Sequence, residues 1–185
     1  MAKLTFVGMM ISLDGYINDA KGNFNWGQID KDVHEHANAE TRRLGTMILG
    51  RRMYETLVSW ETYSGSADFE AEFAEIWHGL DKLVVSKTLK QATSTRTRIV
   101  PEIDLDEMRR LKAAATKDLS IAGPTLASSY LAAGLIDEIG IYYVPVVVGA
   151  GTLMFQQVKH TLRFERTEER AFANGVVFVR YRVPD

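Results

Sequence analysis

Three short segments place small, hydroxyl and cationic residues directly after apolar runs that read as strands. They are "ILGRRMYE" with Gly50, Arg51 and Arg52, "VVSKT" with Ser86 and Lys87, and "IAGPTLAS" with Ala122, Gly123, Pro124, Thr125 and Leu126. Free N–H groups at a helix start and the paired N–H groups of arginine both favour phosphate oxygens. Each segment alone is explained as well by an ordinary helix start or a solvated surface pair. Together, at the carboxyl ends of strands in one sheet, they predict a site for a phosphate-bearing ligand.

Several other chemistries are disfavoured. The chain has no cysteine, which excludes disulfides, thiolate catalysis and thiolate metal ligands. His34 and His36 lie two residues apart on an expected helix, so they face different directions and predict no metal site. The glycine-rich dinucleotide fingerprint, the P-loop motif and the serine-nucleophile motif G-x-S-x-G do not occur in the sequence.

Length and composition indicate an ordinary globular protein. A chain of 185 residues suits a single domain, residues 1–185, and 46% hydrophobic with 25% charged residues is normal usage. A formal net charge of −2 gives no support for binding nucleic acid or an anionic membrane. The apolar run at the N-terminus is broken at Ser12 and Asp14 and lacks a signal-peptide cleavage pattern, so the cytoplasm is the expected location.

Strand-like and helix-like runs alternate along most of the chain. Five apolar strands are expected, at residues 3–13, 46–50, 82–86, 98–100 and 118–123. Helices are expected over about 31–44, from 51, over 67–80 with Gly79 as the cap, over 104–115, and from Pro124 to Ala133. "DGYINDAKGNFNWG" is expected to form a long loop. This alternation predicts an α/β fold with a mostly parallel sheet and helices on both faces.

The last quarter of the chain has the pattern of an antiparallel edge. "HTLRFERTEERAF" and "GVVFVRYRV" predict two strands joined at "ANG", and the alternation in the second indicates a half-exposed strand. "VVVGAGTLMF" fits either a glycine turn between antiparallel strands or a small-residue turn that approaches a ligand. The apolar strand "IGIYYVPVVV" fits either the sheet interior or the interface of a homodimer.

The order and spacing of these segments resemble the dihydrofolate reductase-like superfamily over nearly the whole chain. "ILGRRMYET", "LVVSKT" and the stretch from "LSIAGPT" to "VVVGAGTLMF" are similar to segments of dihydrofolate reductases. "MMISLDGYI" more closely resembles the opening of the reductase domain of the bifunctional riboflavin-biosynthesis deaminase-reductase. The zinc motifs of the deaminase half, H-x-E and P-C-x-x-C, are absent, so the resemblance implies a stand-alone reductase.

The resemblance implies the dihydrofolate reductase-like fold, with NADPH as hydride donor. Matched residue by residue, it assigns cofactor binding to Met10 near the nicotinamide, to Gly50, Arg51, Arg52, Ser86 and Lys87 around the 2′-phosphate, and to Ala122, Gly123, Pro124, Thr125 and Leu126 at the diphosphate. Where this sequence has Ala122-Gly123, dihydrofolate reductases have Gly-Gly joined by a cis bond, which predicts a cis bond here too. The threonine that often follows Gly-Arg is Met53, so one phosphate contact is missing.

The resemblance leaves the proton donor open. Dihydrofolate reductases carry a carboxylate early on their first long helix, and either His34 or Asp30 and Asp32 fall there, depending on where the matching starts. Asp30 also fits the N-cap of that helix. Asp14, at a position shared with the riboflavin-type domains, fits equally a loop acid that binds main-chain N–H groups.

The implied function is NADPH-dependent reduction of a small heterocyclic substrate, pyrimidine- or pterin-like, or of a carbonyl compound. A genuine dihydrofolate reductase and a nucleotide-binding protein without turnover are the alternatives. The expected partners are a small-molecule substrate and a second copy of the chain.

Overall fold

The computed structural model describes residues 2–27 and 29–184 of the chain. The elements in these ranges are, in chain order, β1 (Leu4–Ile11), β2 (Tyr16–Asp19), α1 (Lys31–Arg42), β3 (Leu44–Gly50), α2 (Arg51–Leu57), a 3-10 helix (Val58–Thr62), α3 (Asp68–Gly79), β4 (Asp81–Val85), β5 (Thr97–Val100), α4 (Leu105–Ala114), β6 (Asp118–Ala122), α5 (Pro124–Ala132), β7 (Glu138–Tyr143), β8 (Gly151–Leu153), β9 (Glu165–Ala171) and β10 (Val177–Arg182). No helix within the described residues is both long and apolar enough to cross a membrane.

Eight strands form one mixed sheet in the order β5-β4-β3-β6-β1-β7-β10-β9. Neighbours from β5 to β7 pair in parallel, whereas β10 pairs antiparallel with both β7 and β9. This is the mostly parallel sheet with an antiparallel C-terminal edge that the sequence predicts. Because β7 lies between β1 and β10, the apolar run "IGIYYVPVVV" begins in the sheet interior. A homodimer remains a prediction.

Helices cover both faces of this sheet because side chains alternate along its strands. On β3, Ile48 joins the core cluster beneath α4 and α5, whereas Met47 and Leu49 join the cluster beneath α2 and α3. The helix α1 packs through Val33 and Ala37 against β7 and β10 on the same face as α2 and α3. The predicted two-faced architecture is therefore confirmed.

Local capping explains where the helices begin and end. The carboxylate of Asp30 accepts the N–H of Val33 at 3.1 Å and caps α1, as the sequence predicts. The helix α1 ends at Arg42, earlier than predicted, because Leu44 already begins β3. Gly79 is the last residue of α3 and Leu80, in extended conformation, is the cap, so the prediction of Gly79 as the cap was one residue short.

A second, two-stranded sheet was not predicted. The expected long loop contains β2, which pairs antiparallel with β8. The Gly-Ala-Gly turn therefore connects β7 in the large sheet with β8 in the small one, and does not join two strands that pair with each other. A Cβ atom at Gly151 would lie 1.8 Å from the carbonyl oxygen of Asn18, so this close pairing requires glycine.

The strand β10 is more buried than its sequence pattern indicates. Phe178, Val179 and Arg180 are all buried, whereas all seven residues of β9 are exposed. The strand β9 takes the edge position and α1 packs against Phe178, so the middle of β10 lies within the sheet instead of at its exposed edge. The half-exposed strand expected from the alternation is therefore wrong for the middle of β10.

Candidate functional site

The parallel strands bring the predicted segments to one edge of the sheet. Ala122 of β6 is in register with Leu49 of β3 and with Val7 of β1. The residue that follows each of these three is a glycine, so three glycines lie at one level across adjacent strands. They are Gly8, Gly50 and Gly123. The carboxyl ends of parallel strands are where open α/β sheets bind ligands.

Two of these glycines leave open space above the main chain. A Cβ atom at Gly50 or at Gly123 would have no heavy atom within 4 Å. At Gly8 a Cβ atom would instead lie 2.8 Å from the Met154 side chain. A ligand can therefore approach the main chain closely at the ends of β3 and β6.

The turn from β6 into α5 uses glycine in another way. The peptide bond between Ala122 and Gly123 is trans, so the predicted cis bond is wrong. Gly123 has a φ of 103° and a ψ of 116°, a backbone region that residues with a Cβ atom rarely adopt. This positive φ redirects the chain into the helix, so the turn needs no cis bond.

The start of α5 has the features of an anion site. Gly123 is the N-cap residue and provides no side-chain cap, unlike the aspartates that cap α1 and α4. The first N–H groups of a helix have no partner within it and carry partial positive charge. Pro124 is buried at the first position and Leu126 packs against the core, whereas the exposed hydroxyl of Thr125 donates to Gln156 Oε1 at 3.2 Å.

Cationic side chains lie at the ends of β3 and β4. Arg51 and Arg52 form the first turn of α2 and both are exposed. Arg51 Nη1 is 3.6 Å from Glu55, and Lys87 Nζ is 2.8 Å from Glu102, which raises the pKa of Lys87. Exposed ion pairs of this kind contribute little to stability, so both cations are free to exchange their partner for a phosphate.

Ser86 lies just beyond β4 and shapes the turn that carries Lys87. Its Oγ accepts the N–H of Thr88 at 3.2 Å and that of Leu89 at 2.9 Å. The hydroxyl group therefore holds the local main chain in place. The Ser86 Oγ also lies 3.5 Å from the hydroxyl oxygen of Thr88, and either hydroxyl can be the donor in that contact.

Met10 lies where the register of β1 becomes irregular, between Gly8 and Ile11. Its side chain packs into the cluster beneath α1 and against Gly27, where a Cβ atom would come within 2.4 Å of the Met10 sulfur. Irregular strand ends of this kind are frequent beside active sites, because they redirect the chain. The main chain of Met10, more than its side chain, therefore borders the carboxyl edge.

Asp14 lies in the turn after β1 and binds a different loop. Its Oδ1 accepts the N–H of Val148 at 3.2 Å, and its Oδ2 accepts the N–H of Gly149 at 2.8 Å. Hydrogen bonds from Ser12, Gly149 and Val148 hold the pKa of Asp14 below its usual value. Near neutral pH this group is a carboxylate whose two oxygens both accept main-chain hydrogen bonds.

The other candidate proton donors are also engaged. Asp30 caps α1, and Asp32 is exposed on the first turn of that helix. His34 Nδ1 lies 3.1 Å from Asn38 Oδ1, and burial lowers the pKa of His34, which favours the neutral ring. Three aromatic rings meet the imidazole edge-on with centroids 5.1 to 5.8 Å away, those of Trp60, Phe69 and Phe73.

A polar cluster that the sequence analysis missed lies between α1 and the C-terminal hairpin. His36, Glu40 and Glu168 offer one atom each within 4.8 Å of one another, a spacing that could hold a metal ion. Arg180 donates to both of these carboxylates and to Glu138, so a guanidinium already supplies the positive charge there. The sequence indicates only that His36 and Glu40 lie one helical turn apart. Their partners on β9 and β10 are remote in sequence and could not be inferred from it.

The sequence of this chain is similar to those of known proteins over most of its length. The model of the family described as "RibD C-terminal domain" matches residues 4–178. The chain is 27% identical over 174 residues to "Uncharacterized protein YyaP" of Bacillus subtilis (strain 168), with 94% of this chain and 91% of that one covered.

Solved structures share the fold. A protein of Shewanella sp. PV-4 named for riboflavin biosynthesis has a TM-score of 0.77 at 22% identity, with 100% of both chains covered. The Thermotoga maritima diaminohydroxyphosphoribosylaminopyrimidine deaminase/5-amino-6-(5-phosphoribosylamino)uracil reductase gives 0.68 at 15%, covering 99% of this chain and 57% of that one. Dihydrofolate reductase of Enterococcus faecalis, solved with NADP(H), gives 0.64 at 11%, covering 99% and 97%.

These structural likenesses confirm the predicted dihydrofolate reductase-like fold. The family match runs from the first residue of β1 into β10 and includes the three strand ends that carry the open glycines and the exposed cations. Sequence pattern, sheet order and family model thus agree along the chain: this protein belongs to the RibD C-terminal domain family.

Proposed function

We propose that this protein is an NADPH-dependent oxidoreductase that reduces a small heterocyclic substrate, pyrimidine- or pterin-like, or a carbonyl compound. The observation that carries the proposal is the carboxyl edge of the sheet. There the open main chain at Gly50 and Gly123 lies between the uncapped start of α5 and the exposed cations of α2. A long ligand that carries phosphates at two points fits this edge.

The donor set suits NADPH in particular. The N–H groups at the start of α5 would hold the diphosphate, and Arg51, Arg52 and Lys87 would hold the 2′-phosphate. A side chain larger than hydrogen at Gly50 or Gly123 would fill the space that the cofactor needs. When bound, NADPH supplies the hydride, and the protein contributes orientation and a local electrostatic field.

The named relatives support the substrate class. The Thermotoga protein is named as a reductase of a phosphoribosylaminouracil, and the Enterococcus dihydrofolate reductase was solved with NADP(H). Both share the fold of this chain, and both are named for reductions of nitrogen heterocycles. They therefore favour a nitrogen heterocycle over a simple carbonyl compound as the substrate. A proton must accompany the hydride, and Asp14, Asp30 and His34 remain candidates to position a water or the substrate for that transfer.

The first experiment is a titration with NADPH followed by tryptophan fluorescence, since Trp26, Trp60 and Trp77 are available reporters. We expect saturable binding that is tighter for NADPH than for NADH. Arg51→Ala combined with Arg52→Ala should reduce this preference at least about tenfold, because each lost phosphate contact is charge-assisted. Arg109→Ala on α4, which removes another exposed arginine paired with an aspartate, is the matched control. No binding at millimolar NADPH would refute the proposal.

Turnover separates the alternatives. Loss of NADPH absorbance with a pyrimidine substrate but not with dihydrofolate supports the proposed class. Turnover of dihydrofolate would instead identify a genuine dihydrofolate reductase. Tight NADPH binding without oxidation by any pyrimidine, pterin or carbonyl compound would indicate a binding protein without turnover.

A further inference from the structure

Two loops are joined to each other beside the end of β1. We call them together the paired flap, residues 12–19 after β1 and residues 146–154 after β7. The short strands β2 and β8 pair within it. Main-chain hydrogen bonds tie the loops together at both ends, from the N–H of Leu13 to the Val146 oxygen at 2.8 Å and from the N–H of Met154 to the Gly15 oxygen at 2.9 Å.

The Asp14 side chain is a further link between these loops, besides the β2–β8 pairing and Asn18 Oδ1, which accepts the N–H of Thr152 at 2.9 Å. It reaches from the first loop to the second and accepts the N–H groups of Val148 and Gly149, one on each oxygen. Asp19, the last residue of the first loop, differs because its carboxylate accepts the N–H groups of Lys21 and Asn23, which follow it closely in the chain. The Asp14 carboxylate therefore fixes one loop against the other, whereas the Asp19 carboxylate shapes a local turn.

The position of the paired flap connects it with the proposed site. Its first loop follows directly on Ile11, the last residue of β1. The Met154 side chain of its second loop would lie 2.8 Å from a Cβ atom at Gly8, and Gly8 and the open Gly123 directly follow the paired residues Val7 and Ala122. Each loop carries an exposed apolar side chain beside the link, Leu13 at 62% and Val147 at 70% exposure. Apolar groups held at the mouth of a binding site exclude water and contact the flat faces of ligands.

We propose that Asp14 is a positioning residue of the reductase site, which sets the second loop of the flap against the first and so holds Leu13 and Val147 beside the end of β1. The inference rests on the proposed function and adds a role for a residue that otherwise reads as a proton donor. Main-chain N–H groups bound to both oxygens favour the ionised carboxylate, which accepts hydrogen bonds only, so we assign its contribution to the geometry of the loops.

The test uses Asp14→Asn and Asp14→Ala, with Asp104→Asn as the matched control, because Asp104 also accepts a main-chain N–H but caps the helix α4 and joins neither loop. Amide hydrogen exchange at Val148 and Gly149 is measured in the protein without ligand. Both variants at Asp14 should accelerate exchange at these two amides at least about tenfold, since a charge-assisted hydrogen bond is lost. Asp104→Asn should leave them unchanged.

Steady-state kinetics with NADPH then separate positioning from folding and from proton transfer. Asp14→Ala should lower kcat about tenfold to a hundredfold with the KM for NADPH changed less than about threefold, because misplaced loops affect the reacting geometry more than cofactor binding. Asp14→Asn should lie between this variant and the wild type, with a pH profile of the wild-type shape. Thermal unfolding of each variant reports whether the fold is retained.

Distinct results overturn distinct claims. Unchanged exchange at Val148 and Gly149 in Asp14→Ala, or wild-type kcat in that variant, overturns the positioning role alone. Loss of one limb of the pH profile in Asp14→Asn identifies Asp14 as the proton donor and overturns the proposal. A wild-type protein that binds no NADPH overturns the proposed function, and the exchange measurement still reports whether the carboxylate joins the two loops.

Discussion

Three glycine-to-alanine substitutions separate backbone strain from loss of ligand space. Gly50 has a φ of −71° and open space for a Cβ atom, so alanine there fills the proposed cofactor space without strain. Gly134, after α5, has a φ of 66° with open space, so alanine there adds strain far from the site. Gly123 combines a φ of 103° with open space at the site. Gly50→Ala therefore tests loss of ligand space, Gly134→Ala tests backbone strain, and Gly123→Ala combines the two.

The magnitudes follow from the backbone angles. Gly123→Ala should lower the free energy of unfolding by about 1–3 kcal/mol, the cost of a sparsely populated backbone conformation. Gly134→Ala should cost about 1–2 kcal/mol, since its residue lies in the left-handed helical region. Gly50→Ala should change stability by no more than about 0.5 kcal/mol, because a weaker N-cap is offset by a less flexible unfolded chain.

Binding should follow a different order. A methyl group placed in the space that a bound ligand uses costs about 1–3 kcal/mol, which is a Kd for NADPH raised about 5-fold to 150-fold. We expect this rise for Gly50→Ala and Gly123→Ala, and a wild-type Kd for Gly134→Ala. Urea unfolding and fluorescence titration measure the two quantities. Wild-type NADPH affinity in Gly50→Ala, or weakened affinity in Gly134→Ala equal to that in Gly123→Ala, would refute the placement of the cofactor at this edge.

Two further predictions concern the cluster around Arg180. Arg180→Met should lower the free energy of unfolding by about 3–5 kcal/mol, because it leaves buried and half-buried carboxylates without their cation, whereas Arg166→Met on the exposed strand β9 should cost no more than about 0.5 kcal/mol. Urea unfolding measures both, and equal losses would contradict the argument from burial. Burial lowers the pKa of His36 in the folded state, so the unfolded chain binds more protons and stability should fall as pH drops through 6.5. His36→Gln should make this slope shallower, though His34 retains a slope of the same sign, and an unchanged slope would show that His36 does not contribute.

The fold was predictable because local signals agreed with the final architecture. The Asp30 cap, proline at the start of α5 and the apolar runs at β1, β3 and β6 each fix an element independently of the rest of the chain. The small β2–β8 sheet was missed because β2 and β8 are four and three residues long, with mixed polar and apolar side chains, and their pairing joins segments remote in sequence. Burial of Arg180 was missed for the same reason, since its partners come from α1, β7 and β9.

The positions of the strand-end and helix-start residues of the candidate site were predictable, whereas their role in binding a cofactor remains a prediction. Helix starts and strand ends depend on local backbone chemistry, so Gly50, Gly123 and their neighbours could be placed from sequence. The roles of Asp14 and His34 depend on which distant groups meet them. Asp14 binds N–H groups of the 146–154 loop, and aromatic rings surround His34. The resemblance to dihydrofolate reductases predicts a cis bond between Ala122 and Gly123, but this bond is trans. The positive φ of Gly123 turns the chain into α5 without it.

The exposed cations at the strand ends and the buried Arg180 differ in how firmly they are paired. Arg51 is 47% exposed and Lys87 is 71% exposed, and each has a single carboxylate partner that water competes for. Arg180 is 9% exposed and bonds three glutamates at once, so removing it from that cluster would strand buried charge. A ligand phosphate can therefore displace the partners at the carboxyl edge with little loss of stability, whereas the cluster beside α1 cannot exchange its cation without opening the hairpin. With the weak pairs at the candidate site and the strong one away from it, the protein would bind and release the proposed cofactor without disturbing the sheet.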